Sequence, residues 1–194
     1  MVEPWLRAGF DCTIVDVQHP AGVTVEGQLT KVGADLATWL PPLDDYAIVF
    51  AFPPCTHLAV SGARWWPSKG LEALHEGIGL VVACKRIAEW SGAPWMLENP
   101  VGSLSSYWRK PDYYFDPLDF GAYVTDGEDF TKKTCLWTGG GFVMPERRPV
   151  PMSAEPNPIH WAAPGANRAD VRSLTPRGFA QAVFEANVPV RSFT

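Results

Sequence analysis

The sequence has no apolar run of the ~18 residues that a membrane-spanning helix needs. Its first ten residues, MVEPWLRAGF, lack a basic stretch followed by an apolar one, so no secretory signal is predicted. Only four cysteines occur in 194 residues, without paired spacing, and we expect reduced thiols. These absences predict a cytoplasmic protein that is neither an integral membrane protein nor held together by disulfides.

Positive charge is also scarce. The chain has 16 Lys and Arg against 21 Asp and Glu, which gives a net charge of −5. This balance argues against a broad basic face for phosphates, but it leaves room for a local basic pocket. The histidines and cysteines do not have the spacing of a zinc site, so no bound metal is predicted.

The composition is that of a globular protein, with 46% hydrophobic and 19% charged residues. A chain of this length buries a core without covalent crosslinks. We therefore expect a single domain over residues 1–194, with a proline-rich loop at about 139–171.

Short apolar runs alternate with helical patterns along the chain. The pattern predicts strands at 12–16, 47–52 and 95–98, a strand pair at 133–138 and 141–144, a helical turn at 34–40, a helix at 70–92, and a last helix ending near Asn187. This alternation is typical of an α/β fold with a mostly parallel sheet.

Three functional-looking side chains follow predicted strands. Asp16, Cys55 and Glu98 lie where the strands end, and the sites of parallel α/β sheets lie at the carboxyl ends of strands. Pro53 and Pro54 make the turn before Cys55 rigid, as a positioned nucleophile requires. A buried, inert thiol is an equally good interpretation of Cys55, and Glu98 could instead cap a loop.

Taken together, Pro53-Pro54-Cys55 after one strand and Glu98-Asn99-Pro100 after the next resemble motifs of the DNA (cytosine-5) methyltransferase family. The resemblance implies a Rossmann-like, S-adenosylmethionine-dependent methyltransferase sheet, mostly parallel. It implies that Cys55 attacks C6 of cytosine. It also implies that Glu98 contacts N3 and the exocyclic amine, which activates the ring for transfer of a one-carbon group to C5.

The resemblance implies roles for further residues. Asp16, Asp35 and Pro53 correspond to cofactor-binding positions, Asp16 at the ribose hydroxyls and Asp35 at the adenine amine. Four residues correspond to substrate-binding positions: Arg64, Asn99, Lys132 and Lys133. The two lysines stand where the family has arginines, and Pro100 stands where it has valine.

The resemblance begins at the helix that follows the family's first strand and glycine-rich cofactor loop. We therefore expect an N-terminally shortened sheet and weak binding of S-adenosylhomocysteine by this chain. The family's target-recognition region has no counterpart beyond the proline-rich segment, so we expect little recognition of a DNA sequence in the major groove. The expected substrate is a cytosine nucleotide or DNA.

Three functions remain open at this point. The first is a cytosine-5 methyltransferase-like enzyme that uses S-adenosylmethionine. The second is a related pyrimidine C5 transferase with a different one-carbon donor, and the third is a non-catalytic member that binds nucleic acid or a partner protein. The sequence does not predict an oligomeric state.

Overall fold

The computed structural model describes residues 1–153 and 174–189. Its strands are β1 Cys12–Val15, β2 Gly22–Glu26, β3 Leu29–Gly33, β4 Val49–Ala51, β5 Trp95–Pro100, β6 Tyr113–Phe115 and β7 Thr134–Gly139. Its α-helices are α1 Glu3–Arg7, α2 Trp66–Trp90, α3 Leu104–Tyr107 and α4 Arg177–Asn187. Two 3₁₀ helices cover Val60–Trp65 and Pro117–Tyr123.

The strands form two mixed sheets, so the expected mostly parallel, Rossmann-like sheet is wrong. One sheet has the order β1-β3-β2 and the other β4-β5-β7-β6. Within each sheet one pair is parallel, β1 with β3 and β4 with β5, and the other pairs are antiparallel. The connections between strands explain this difference. A tight turn at Gly27, with φ 60°, joins β2 to β3 and reverses the chain, so these strands are antiparallel. Parallel neighbours need a long crossover connection instead.

Several predicted elements are confirmed. The strands at 12–16, 47–52 and 95–98, the helix at 70–92 and the last helix ending near Asn187 are present with differences in their bounds. The predicted pairing of 133–138 with 141–144 is wrong, because β7 pairs with β5 and β6 instead. The predicted helical turn at 34–40 is present as a single turn, in which the Trp39 amide donates to the Asp35 carbonyl. Residues 154–171 of the predicted proline-rich loop lie outside the described residues.

The four-stranded sheet is covered on both faces. Side chains alternate along β5, so Leu97 joins the cluster packed under α2 and Met96 joins the cluster packed under α4. Val81 of α2 and Phe179 of α4 are buried against these two faces. The sheet is thereby fixed between two helices, and its strand ends are held in place.

The three-stranded sheet is attached through side chains outside its strands. The Arg86 guanidinium of α2 donates hydrogen bonds to the carbonyls that follow β3, at Leu36, Ala37 and Trp39. Trp5 of α1 contacts the rings of Phe50 and Phe184, which belong to β4 and α4. These contacts tie both sheets to the same core.

The packing of α4 generates a stability prediction. A Cβ on Gly178 would lie 2.2 Å from the carbonyl oxygen of Phe120, so Gly178→Ala should lower the free energy of unfolding by about 1–3 kcal/mol. Gly79→Ala is the matched control, because a Cβ on that α2 glycine meets nothing and alanine favours a helix. Urea unfolding of both variants checks this, and equal stabilities would contradict the close contact between α4 and the Phe120 segment.

Candidate active site

The loop that carries Cys55 and the carboxyl-terminal half of the strand that carries Glu98 lie at the same edge of the larger sheet. Because β4 and β5 are parallel neighbours, their carboxyl ends lie at the same edge. Asn99 of β5, only 1% exposed, donates a hydrogen bond of 2.9 Å from Nδ2 to the Pro53 carbonyl. This bond holds the loop that carries Cys55 against the strand that carries Glu98.

A second set of contacts joins the chain after Cys55 to the chain after β5. Ala59 and Gly102 form an isolated antiparallel bridge, and the Val60 amide donates to the Val101 carbonyl at 3.0 Å. Gly102 permits this approach, since a Cβ there would lie 2.1 Å from the Leu58 carbonyl oxygen. The two loops therefore form one unit.

Cys55 lies at the start of a tight turn within this unit. Its carbonyl accepts hydrogen bonds from the amides of Leu58 and Ala59, at 3.0 and 2.9 Å. The residue is half-buried, whereas Cys84 and Cys135 are buried. Burial raises the pKa of the Cys84 thiol to about 12 and contributes to raising the pKa of Cys135 to about 11, which keeps both protonated near neutral pH. Cys55 is therefore better placed than either to meet a substrate.

Glu98 lines a narrow cavity on the α4 side of the sheet. Its other walls come from distant parts of the chain: Phe52, Phe115, Lys132, Thr134, Leu174, Thr175, Pro176 and Phe179. The cavity of ≈ 10 Å³ has about the room of one water molecule. Phe52 and Leu174 are 41% and 68% exposed, so two apolar side chains at the wall remain accessible to solvent.

The environment of Glu98 favours its protonated form. Burial raises the pKa of the Glu98 carboxyl, and the positive charge of Lys132 offsets part of this rise. A protonated carboxyl donates one hydrogen bond and accepts another, which suits a ring nitrogen beside an exocyclic amine. The Glu98 carboxyl is therefore chemically suited to the polar edge of a planar ring, although the cavity has room for about one water molecule in this structure.

The two neighbouring lysines have separate surroundings. Lys132 lines the Glu98 cavity, whereas the Lys133 ammonium lies 5.1 Å from the centre of the Tyr114 ring. The Arg64 guanidinium lies 4.9 Å from the centre of the Trp65 ring. Lys132 is the one of these three predicted substrate-binding residues that lines the Glu98 cavity.

Asp16 and Asp35 lie on the other sheet. They follow the parallel strands β1 and β3, so both are at the same end of the three-stranded sheet. Each is exposed, and its Oδ1 accepts an amide hydrogen bond two residues on, from Gln18 and from Ala37. The structure thus places the two acids on one sheet and the Cys55–Glu98 loops on the other.

The aromatic walls of the cavity were not predicted from the sequence. Phe52 belongs to a run that is typical of a buried strand, and Phe115 comes from a segment that resembles a loop. Phe179 belongs to the predicted last helix, and it stacks on Phe115 at 4.1 Å between ring centres. The helical spacing of apolar residues could have identified Phe179 as buried, but no local signal in the sequence places it next to Glu98.

Comparisons with known proteins returned no matching family model, curated protein or solved structure. Among the described residues, no helix combines the length and apolar character needed to cross a membrane. Over residues 1–153 and 174–189, no three or more His, Cys, Asp or Glu side chains cluster in a way suited to a metal ion.

The raised pKa of Glu98 predicts a pH dependence of stability. The folded protein keeps this proton more tightly than the unfolded chain, whose carboxyl has a pKa of about 4.3. The free energy of unfolding should therefore fall as the pH rises from about 4.3 through the folded-state pKa. Glutamine has no proton to lose, so the free energy of unfolding of Glu98→Gln should not show this fall. The variant should therefore become more stable relative to wild type as the pH rises through that range.

Urea unfolding between pH 4 and pH 8 measures the difference between the two proteins. Glu72→Gln, which removes an exposed carboxylate of α2, is the control. A difference between Glu98→Gln and wild type that stays constant with pH would contradict a desolvated Glu98.

Proposed function

We propose that this chain is a cytosine-5 methyltransferase-like enzyme that transfers a one-carbon group to C5 of cytosine in a nucleotide or in nucleic acid. The observation that carries the proposal is the hydrogen bond that joins the Cys55 loop to the Glu98 strand at one sheet edge. It brings a half-buried thiol and a carboxyl of raised pKa to neighbouring strand ends.

In this proposal Cys55 is the nucleophile. Its thiolate forms a bond to C6 of cytosine, and the electron pair of the C5–C6 double bond moves toward C5. C5 then bonds to the one-carbon group as the bond between that group and its donor breaks, with the electron pair staying on the donor. C5 loses its proton to solvent, and the Cys55–C6 bond breaks to restore the double bond and the thiolate. The anchored turn limits the motion of Cys55 and so reduces the entropy lost on reaching C6.

Glu98 stabilises the charge that develops on the ring. A protonated Glu98 donates to N3 and accepts from the exocyclic amine, which favours electron density moving into the ring as the thiolate adds. Lys132 lies at the same cavity and offers a positive charge to an oxygen or phosphate of the substrate. Asn99 acts through Pro53 and is a positioning residue.

S-adenosylmethionine is the proposed donor, and it would supply an electrophilic methyl group. Asp16 and Asp35 are the proposed contacts of its ribose and adenine ends. Each carboxylate is exposed, and its hydrogen bond to a described residue uses Oδ1, so Oδ2 remains to accept from a ligand. Pro53, whose carbonyl is held by Asn99, is the proposed cofactor contact nearest to Cys55. Transfer from a different one-carbon donor is the alternative function.

The substrate base must enter a cavity that is closed in this structure. A pocket with room for about one water molecule does not admit a pyrimidine, so the walls of the cavity have to move apart when the base binds. In nucleic acid the base would also leave its stack. Arg64 and Lys133 are the proposed phosphate contacts outside the cavity, consistent with their accessible positions.

Trapping of an adduct tests the nucleophile. With S-adenosylmethionine and a single-stranded oligonucleotide containing 5-fluorocytosine, C5 cannot lose its substituent, so the Cys55–C6 bond should persist. Peptide mass spectrometry should place the adduct on Cys55, and Cys55→Ser should abolish it. Cys12→Ser, which alters another half-buried cysteine, is the control. An adduct that survives in Cys55→Ser would refute the assignment.

Turnover tests the role of Glu98. Glu98→Gln should fold but lose at least ~10²-fold in rate, the usual scale for a positioned acid or charge-stabilising contact. Methyl transfer to a cytosine oligonucleotide measures the rate, and Glu72→Gln should retain it. A Glu98→Gln protein with wild-type turnover and an intact fold would show that this carboxyl is only structural.

A further inference from the structure

β2 forms an outer edge of the three-stranded sheet, and it is unusually accessible. It pairs with β3 on one side, and all five of its residues are exposed. Val23 and Val25 are 67% and 65% exposed, and they share one face because side chains alternate along a strand. Among the described strands, β2 alone is exposed along its whole length.

The hydrogen bonds of the sheet determine which backbone groups face outward from β2. The Cys12 and Asp16 amides of the β1 segment donate to the carbonyls of Gln28 and Val32. The backbone N–H and C=O groups of alternate residues in the β3 segment therefore face β1. Those of the remaining residues, Leu29, Lys31 and Gly33, face β2.

The residues opposite this second set are Glu26, Thr24 and Gly22. Their N–H and C=O groups consequently face β3, which leaves those of Val23 and Val25 facing outward. The edge thus presents two amide donors and two carbonyl acceptors, without a partner strand among the described residues.

This edge lacks the usual protection against strand pairing. Natural edges often carry proline, lysine or a bulge that prevents another strand from docking. The β2 sequence, Gly-Val-Thr-Val-Glu, has one charge, at Glu26, and Lys31 neutralises it at 2.7 Å. No charge lies on the Val23 and Val25 face of the strand.

We propose that the β2 edge binds the β2 edge of a second copy of this chain. In an antiparallel pairing centred on Thr24, Val23 of each copy lies opposite Val25 of the other. These are the residues whose backbone groups face outward, so each Val23–Val25 pair forms two hydrogen bonds and the interface forms four. The strand is therefore complementary to itself about a two-fold axis.

The side chains of β2 are compatible with this register. On one face the two valine pairs meet, and apolar β-branched pairs stabilise neighbouring strands. On the other face Thr24 meets its own copy, and Glu26 lies opposite Gly22, so like charges are not opposed. The product is a six-stranded sheet across two copies.

The association is weak because the edge is short. Five residues per copy bury less than the ~1,200–2,000 Å² of stable protein interfaces. The dimer should therefore form in a concentration-dependent manner. The proposed interface belongs to the three-stranded sheet, whereas Cys55 and Glu98 belong to the segments at the end of the four-stranded sheet.

Sedimentation equilibrium of the full chain over a wide range of concentration tests this interface. Wild type should shift from the 21.3 kDa monomer toward twice that mass. Val23→Lys/Val25→Lys should stay monomeric, because lysines would face each other in the proposed register. The control Val17→Lys/Val143→Lys adds the same charge at exposed valines outside β2 and should dimerise as wild type does.

Complementary charges test the register itself. A mixture of Val23→Lys/Val25→Lys with Val23→Glu/Val25→Glu should form a heterodimer, although each protein alone is monomeric.

Thr24→Cys should form an intermolecular disulfide on mild oxidation, because directly opposed residues that do not hydrogen-bond to each other have Cα atoms ≈ 4.5 Å apart. Thr13→Cys on the exposed side of β1 should not. A wild-type monomer at every concentration, or dimerisation unaffected by lysines in β2, would overturn the proposal.

Discussion

The hydrogen bond from the Asn99 side chain to the Pro53 carbonyl is the constraint on which the candidate site depends. Pro53 has a fixed φ and no amide hydrogen, so its carbonyl is the backbone group through which Pro53 can form a hydrogen bond. The bond is buried, and leaving its partner unsatisfied would cost about 1–3 kcal/mol. The contacts around Ala59 and Gly102 join the same two loops and act together with this bond.

The alternation of side chains along β5 lets consecutive residues serve opposite sides of the sheet. Glu98 faces the aromatic cavity beneath α4, and Asn99 reaches the loop that follows β4. The carboxyl is desolvated by its surroundings, while the amide next to it fixes the position of the thiol loop. A one-residue change of register would exchange these two roles, and the paired strands on both sides of β5 prevent it.

Those parts of the structure that have a strong local pattern were predictable from the sequence. The apolar runs around β4 and β5 and the helices α2 and α4 were found in this way. Of the three strand ends expected at one sheet edge, those of Cys55 and Glu98 share a sheet, whereas Asp16 follows a strand of the other sheet. The hairpin of β2 and β3 was not, because an exposed strand has no buried face to produce an apolar run. The direction of β7 depends on its connections, and the cavity walls at Phe52, Phe115 and Phe179 meet only in the folded chain.

In the proposed enzyme, Asn99 holds Cys55 and Glu98 so that they act on one cytosine ring. The sharpest test is exchange of the C5 hydrogen of cytosine with solvent, which needs only thiolate addition at C6 and uptake and loss of a proton at C5. With a C5-deuterated cytosine oligonucleotide and no donor, wild type should release deuterium. Asn99→Ala should be much slower, and Cys55→Ser should be inactive. Exchange at the wild-type rate in Cys55→Ser, or none in wild type, would contradict this mechanism.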